Sequence, residues 1–136
     1  MSRDPLKLTA AQLVEAARAE IAEMSVAEAQ EAVARGDAVL VDIRDVRELA
    51  REGRIPGSIH CPRGMLEFWI DPQSPYFKPV FAEPKTYIFH CAMDWRSALA
   101  AKTAQDMGFG PVAHLKGGLQ AWKAAGGAIE PGRESE

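Results

Sequence analysis

The run Cys91-Ala92-Met93-Asp94-Trp95-Arg96-Ser97 places a thiol, a carboxyl and a guanidinium inside one short stretch. A thiolate is a strong nucleophile, and arginine is a permanent, forked cation suited to carboxylate, sulfonate or phosphate-like groups. The stretch joins the clearest strand pattern in the chain, Lys85 to His90 (KTYIFH), to the clearest helical one, Ser97 to Met107, which Gly108 ends. Where a helix begins, unpaired backbone N–H groups and the helix dipole stabilise negative charge, so a cysteine there is expected below its free pKa of ~8.5. This reading makes Cys91 a nucleophile, the amides of Ala92, Met93, Asp94, Trp95 and Arg96 an anion cradle, and Arg96 the substrate clamp. The local pattern is equally satisfied by a small buried cysteine at a strand end and a surface arginine on a first helical turn.

Two other pairs invite attention. His60-Cys61 and His90-Cys91 resemble the halves of a zinc site, but successive strand residues point to opposite faces, so a strand carried through His90 and Cys91 would not converge on one metal. No metal is expected. His114 and Trp122 read as packing residues.

The elements that position Cys91 follow from periodicity and punctuation. Thr9 to Ile21 is an amphipathic helix with Leu13, Ala17 and Ile21 spaced four apart. Glu23 to Ser25 is a candidate for a very short strand. Ser25 with Glu28 forms a capping box opening a helix to about Arg35, stopped by Gly36. Ala38 to Asp42 (AVLVD) is a strand buried on both faces. Val46 to Glu52 is a short helix ended by Gly53, and the Ile55-Pro56-Gly57 turn leads to a brief strand at Ser58 to His60. Arg63 to Pro84 mixes aromatic residues with prolines and must be ordered by packing, with Phe68 to Phe81 covering the sheet. Val112 to Leu115 is a last strand, Gly117-Gly118 a turn, and Leu119 to Ala125 a closing helix. Short buried strands alternating with helices imply an α/β fold in which ligands bind beyond the carboxyl ends of the strands, where Cys91 lies.

With 136 residues, the chain fits one domain able to bury a core unaided. No apolar run approaches the ~18 residues a membrane-spanning helix needs. The net charge of −3, with basic residues scattered among acidic ones, provides no broad positive field, so no nucleic-acid partner is expected. Met1 to Leu8 lacks the basic start and apolar stretch of a secretory signal, and the expected location is the cytoplasm.

The run Val41-Asp42-Ile43-Arg44, Glu48, Gly53, Ile55-Pro56-Gly57-Ser58, Pro62 resembles the first signature of rhodanese-like domains. Cys91 through Arg96-Ser97-Ala98, then Gly108-Phe109, Val112, Leu115, Gly117-Gly118 and Trp122 is similar to the family's active-site loop and the segment after it. The resemblance spans roughly Ser25 to Ala125. It divides the chain into an N-terminal helical extension (1–23), a rhodanese-like domain (24–128) and a polar tail (129–136), frayed from Pro131 on. It implies a five-stranded parallel sheet with helices on both faces, and a structural role for Asp42, Arg44 and Glu48. It also implies a Cys91 persulfide formed from a donor such as thiosulfate and discharged to cyanide or a thiol, with no cofactor; an acceptor protein is a further expected partner, and the chain would be a monomer or homodimer. In the implied strand order the strands of Cys61 and Cys91 lie two apart, roughly 9 to 10 Å, beyond disulfide reach.

Counting Cys91 to Arg96 inclusive, the loop has six residues, as in the sulfurtransferases; the related dual-specificity phosphatases have one more. The rival readings are an interaction or sulfur-relay module with little small-donor turnover, and a phosphatase or arsenate reductase. Asp94 departs from the glycine many active members carry. Aspartate tolerates a left-handed backbone, but at ~7 Å and an effective dielectric of ~40 its charge would cost an anionic ligand about 1 kcal/mol. Pairing with Arg96 or capping the helix are its alternative roles.

Overall fold

The computed structural model describes residues 4–132. Six helices and five strands alternate: α1 (Ala10–Arg18), β1 (Ala22–Met24), α2 (Val26–Ala34), β2 (Ala38–Asp42), α3 (Val46–Glu52), β3 (Ile59–His60), α4 (Leu66–Ile70), β4 (Thr86–His90), α5 (Trp95–Asp106), β5 (Val112–Leu115) and α6 (Gly118–Ala124). The strands form one sheet in the order β1-β5-β4-β2-β3, with every pair parallel. This is the expected five-stranded architecture.

Strand parity divides the interior into two cores. Val41 and Ile43 of β2 and its extension, Tyr87 and Phe89 of β4, and Val112 of β5 pack with Val14, Ala17 and Ile21, with Leu66 and Ile70 of α4, and with the alanines of α5. On the other face Ala38, Leu40, Ile88 and Leu115 meet Ala29 and Ala32 of α2 and Leu119 and Trp122 of α6. Period-two alternation in buried strands produces both layers at once.

The helix starts follow the expected chemistry. Thr9, Ser25 and Asp45 each cap a helix in a reciprocal capping box, with Gln12, Glu28 and Glu48 as partners. Gly53 follows α3 at φ 81°, where an added Cβ would also strike the Glu130 carbonyl at 2.8 Å.

Three details differ from the sequence reading. The buried face of α1 is Val14 and Ala17, continued by Ile21, while Leu13 is 45% exposed. Residues three and seven apart share a helical face as readily as residues four apart, and docking chose that register. The edge strand begins at Ala22, inside the stretch expected as an extension, and Ser25 caps α2 rather than ending the strand. Beyond the closing helix, Trp122 donates from Nε1 to the Ala128 carbonyl at 2.8 Å, and Glu130 exchanges two backbone hydrogen bonds with Arg54, both 2.8 Å. The tail is therefore held against the domain through Glu130; residues 133–136, where fraying was expected, lie outside the described residues.

The segment between β3 and β4 covers the sheet, as expected. Leu66, Ile70 and Phe81 are buried, and Phe81, Tyr87 and Phe109 stack with centroids 4.8 to 6.0 Å apart. Phe68 and Tyr76 remain on the surface, edge to face.

Candidate active site

Cys91 directly follows β4 at the carboxyl edge of the sheet, and α5 starts four residues later at Trp95. The first helical hydrogen bond at this end is Ala98 N–H to the Asp94 carbonyl, so the amides of Trp95, Arg96 and Ser97 precede it. Residues Cys91 to Arg96 line a pocket of about 500 Å³.

The back of this loop is fastened by α6. Leu119 N–H donates to the Cys91 carbonyl at 2.9 Å and Gln120 N–H to the Ala92 carbonyl at 3.1 Å. Gly118, at φ 60°, lies so close that an added Cβ would fall 2.0 Å from the Met93 carbonyl oxygen and 2.6 Å from that of Cys91. Gly118, read in sequence as half of a turn and as part of the family resemblance, thus allows the close approach of α6 to the loop that carries the thiol.

The Cys91 side chain is 2% exposed, and its Sγ donates toward Ser97 Oγ at 3.6 Å. Ser97 Oγ lies 3.3 Å from His114 Nδ1, and His114 Nε2 lies 2.8 Å from Glu23 Oε2. Parity explains this file of side chains: Cys91 continues the face of Tyr87 and Phe89, His114 shares the face of Val112, and Glu23 is the register partner of His114. Burial lowers the His114 pKa against the opposing pull of Glu23, keeping the ring neutral near pH 7. Partial burial would raise the Glu23 pKa, but hydrogen bonding to His114 and the charge of Arg18 hold it below the usual carboxylate range.

Arg96 makes a bidentate pair with Glu48, 2.7 and 3.1 Å, with its side chain 45% exposed. The guanidinium expected to await a ligand is already engaged by α3. The Glu48 carboxyl is correspondingly lowered by the Arg96 hydrogen bond.

Asp94 adopts neither of its two alternative roles, as a partner of Arg96 or as a side-chain cap: it is the N-cap residue by position but makes no side-chain capping bond. Its φ of −150° lies outside the left-handed region, so the loop requires no left-handed residue here. Its Oδ2 lies 3.9 Å from Arg18 Nη1, a cation supplied by α1 that also holds Glu23 at 3.1 Å.

The remaining polar residues of this edge are structural. Arg44 and Asp42 form a wholly buried pair at 2.8 Å, and Arg44 also donates to the Gly53 carbonyl at 2.9 Å. Burial opposes ionisation of Asp42, but the hydrogen bonds and charge of Arg44 together with His90 hold its pKa below the usual carboxylate range. His60 Nε2 is engaged by the Arg44 carbonyl at 2.7 Å. Cys61 and Cys91 are both free thiols. No group of three metal-ligating side chains gathers among the described residues.

Comparison with known proteins fits this geometry. Residues 25–125 match the family model for the rhodanese-like domain. The chain belongs to the rhodanese-like domain family. A mouse relative, thiosulfate sulfurtransferase/rhodanese-like domain-containing protein 3, is 31% identical over 91 residues, which is 63% of this chain; the match spans 58% of the mouse protein's length. A solved structure from Rhodopseudomonas palustris, a protein of unknown function described as a possible tyrosine phosphatase, superposes with a TM-score of 0.90 at 52% identity, covering 96% of this chain and 100% of that one. A thiosulfate sulfurtransferase from Pseudomonas aeruginosa superposes with a TM-score of 0.74 at 30% identity, over 89% of this chain and 22% of that one.

Within this rhodanese-like domain the sequence reading singled out the loop from Cys91 to Arg96 but gave Ser97, His114, Glu23 and Arg18 no part in its chemistry. His114 was expected to pack, and the structure places it in a hydrogen-bonded file leading to the thiol. Arg18 and Glu23 precede the residues that match the family model, so no motif pointed to them. The strand register that aligns Glu23 with His114 was the only available signal, and it needs the strand order to be read.

Proposed function

We propose that this rhodanese-like domain is a sulfurtransferase working through a Cys91 persulfide. The Cys91 thiolate attacks the outer sulfur of a donor such as thiosulfate; a new S–S bond forms, the donor's S–S bond breaks, and sulfite leaves with the electron pair. Cyanide or a thiol then attacks the outer persulfide sulfur and releases Cys91 as thiolate. This is covalent catalysis in two half-reactions, and the chain's own groups suffice for it. The observation that carries the reading is the placement of Cys91 at a strand-to-helix junction, inside a pocket of about 500 Å³ built from the loop itself. Preorganised amides at such a junction stabilise an anionic sulfur or departing oxyanion.

Arg96 serves as the clamp while held by Glu48, presenting the remaining N–H groups of a fork that has five donors. Met93 and Trp95, 59% and 52% exposed, give the pocket mouth an apolar rim suited to an organic thiol or the surface of an acceptor protein. Two free cysteines suit a reducing compartment, and we place the protein in the cytoplasm; among the described residues, no helix is long and apolar enough to cross a membrane.

The description of the Rhodopseudomonas protein makes phosphate-ester hydrolysis the competing activity. The six-residue loop from Cys91 to Arg96 favours sulfur, being one residue shorter than the cradle of the related dual-specificity phosphatases. Intact-mass measurement after incubation with thiosulfate, then with cyanide or dithiothreitol, tests the proposal. A labile gain of one sulfur atom on Cys91 supports it. Cys91-dependent hydrolysis of p-nitrophenyl phosphate that rivals sulfur transfer would overturn it.

A further inference from the structure

Glu23, His114 and Ser97 connect the rim of the molecule to the buried thiol, and the direction of their hydrogen bonds can be worked out. Glu23 is an ionised carboxylate and only accepts, so His114 Nε2, 2.8 Å away, must carry a hydrogen. A neutral ring then leaves Nδ1 bare, and the Ser97 hydroxyl, 3.3 Å from it, must donate. That turns the lone pairs of Ser97 Oγ toward Cys91 Sγ, 3.6 Å away, as the acceptor of the thiol proton. The polarity of the whole file is fixed by one carboxylate on the edge strand.

We infer that Ser97, His114 and Glu23 form a proton relay that deprotonates Cys91, with Ser97 as a catalytic residue touching the reacting sulfur and His114 and Glu23 as positioning residues behind it. The step is balanced. The Cys91 S–H bond breaks as Ser97 Oγ takes that proton, and the Ser97 hydroxyl proton passes to His114 Nδ1. The products are a thiolate, a re-formed serine hydroxyl now donating to it, and an imidazolium whose Nε2–H faces the Glu23 carboxylate. No electron is transferred to or from any outside agent. The return of the proton resets the file when the thiol is regenerated.

The charged and titratable groups around His114 are Glu23 from β1, Arg18 from α1, Asp94 from the loop and Cys91 beyond β4. Burial opposes the imidazolium most, Glu23 favours it through both its hydrogen bond and its charge, and the opposing effects of Arg18 and Asp94 come after these, so Glu23 is the carboxylate that decides how readily the ring takes the proton. The relay ends outside the residues that match the family model, which gives the segment before Ser25 a part in the chemistry at Cys91. The relay deepens the sulfurtransferase reading and rests on it for its purpose, but its proton transfer is measurable without any sulfur donor.

The test is the rate of Cys91 alkylation by iodoacetamide as a function of pH in the full chain, for wild type, Glu23→Gln, Ser97→Ala, Ser97→Thr and the Glu23→Gln/Ser97→Ala double variant. Glu23 sits partly exposed on an edge strand, so its isosteric variant carries the test if the buried Ser97→Ala variant unfolds. Near neutral pH, Glu23→Gln is expected to slow alkylation by about ten-fold, the equivalent of about one pKa unit lost from the ring's basicity, and to move the profile to higher pH. Ser97→Ala should slow it at least as much, and Ser97→Thr, which keeps the hydroxyl, should restore it. Members of one relay are non-additive, so the double variant should match Ser97→Ala alone. Unchanged alkylation in folded Glu23→Gln, or losses that multiply in the double variant, would overturn the relay. If wild type instead alkylates as expected yet gains no sulfur from thiosulfate or an organic persulfide, the sulfurtransferase reading fails and the relay stands.

Discussion

Cys61 and Cys91 are near twins in sequence and in place. Each follows a histidine that ends a strand, each emerges at the carboxyl edge of the sheet, and they are 0% and 2% exposed. Their surroundings differ. Around Cys61 the sulfur's polar neighbour is the Pro62 carbonyl at 3.9 Å, and burial pushes its pKa up to about 12. Around Cys91 the backbone turns directly into a twelve-residue helix, a hydroxyl faces the sulfur, and a pocket opens on the loop. Burial alone makes a thiol inert, and in the proposed function Cys91 differs through what its sulfur is aimed at.

The largest expected effect separates the two thiols outright. Cys91→Ser should abolish the sulfur gain seen by mass spectrometry after thiosulfate treatment, and Cys61→Ser should leave it within about two-fold of wild type. The reverse pattern would break the comparison. Labelling sharpens it: with its pKa near 12, Cys61 is about 0.01% thiolate at pH 8, so iodoacetamide should mark Cys91 in the native protein and reach Cys61 only after urea is added. Peptide mapping reads both sites in one digest.

The histidine before Cys91 carries a consequence for stability. Burial drives the His90 pKa from 6.5 down to about 4, whereas an unfolded chain protonates it at its ordinary value. The unfolded state therefore binds more protons between these values. Stability is full above pH 6.5 and falls progressively as the pH drops toward 4, by about 2 kcal/mol between pH 7 and 5 from this residue. His114, shifted in the same direction, adds to the loss. Urea unfolding at pH 7 and pH 5 should show it, and His90→Gln should flatten the slope; a slope unchanged by the substitution would remove His90 as its source.

The smallest effect concerns Asp94. Its carboxylate lies 3.9 Å from Arg18, which offsets part of the repulsion an anionic donor would meet, and it makes no helix cap whose loss would loosen the loop. Asp94→Gly should improve kcat/KM for thiosulfate by roughly two- to five-fold, the scale of one screened surface charge. A fall in both turnover and thermal midpoint would show instead that the Arg18 pair holds the loop in place.

Much of this molecule is legible in its amino-acid sequence. Ala38 to Asp42, Val46 to Glu52 and Val112 to Leu115 fall where β-branched runs, a helical pattern and glycine punctuation put them. The Ser25-Glu28 capping box opens α2 as its spacing requires, because both bonds close within four residues of chain. The position of Cys91 between a strand and a helix is equally plain.

The sequence by itself determined the order of strands and helices along the chain, the two-sided burial of the sheet and the address of Cys91, since all of these depend on residues within a few positions of one another. Tertiary structure alone decided the thiol's company. Arg96 meets Glu48 across 48 residues and His114 meets Glu23 across 91, while Gly118 owes its lack of a side chain to carbonyls of the Cys91 loop. The spacing of such pairs along the chain carries no period, because their meeting is set by strand order and register, which emerge only when the whole sheet closes its hydrogen bonds.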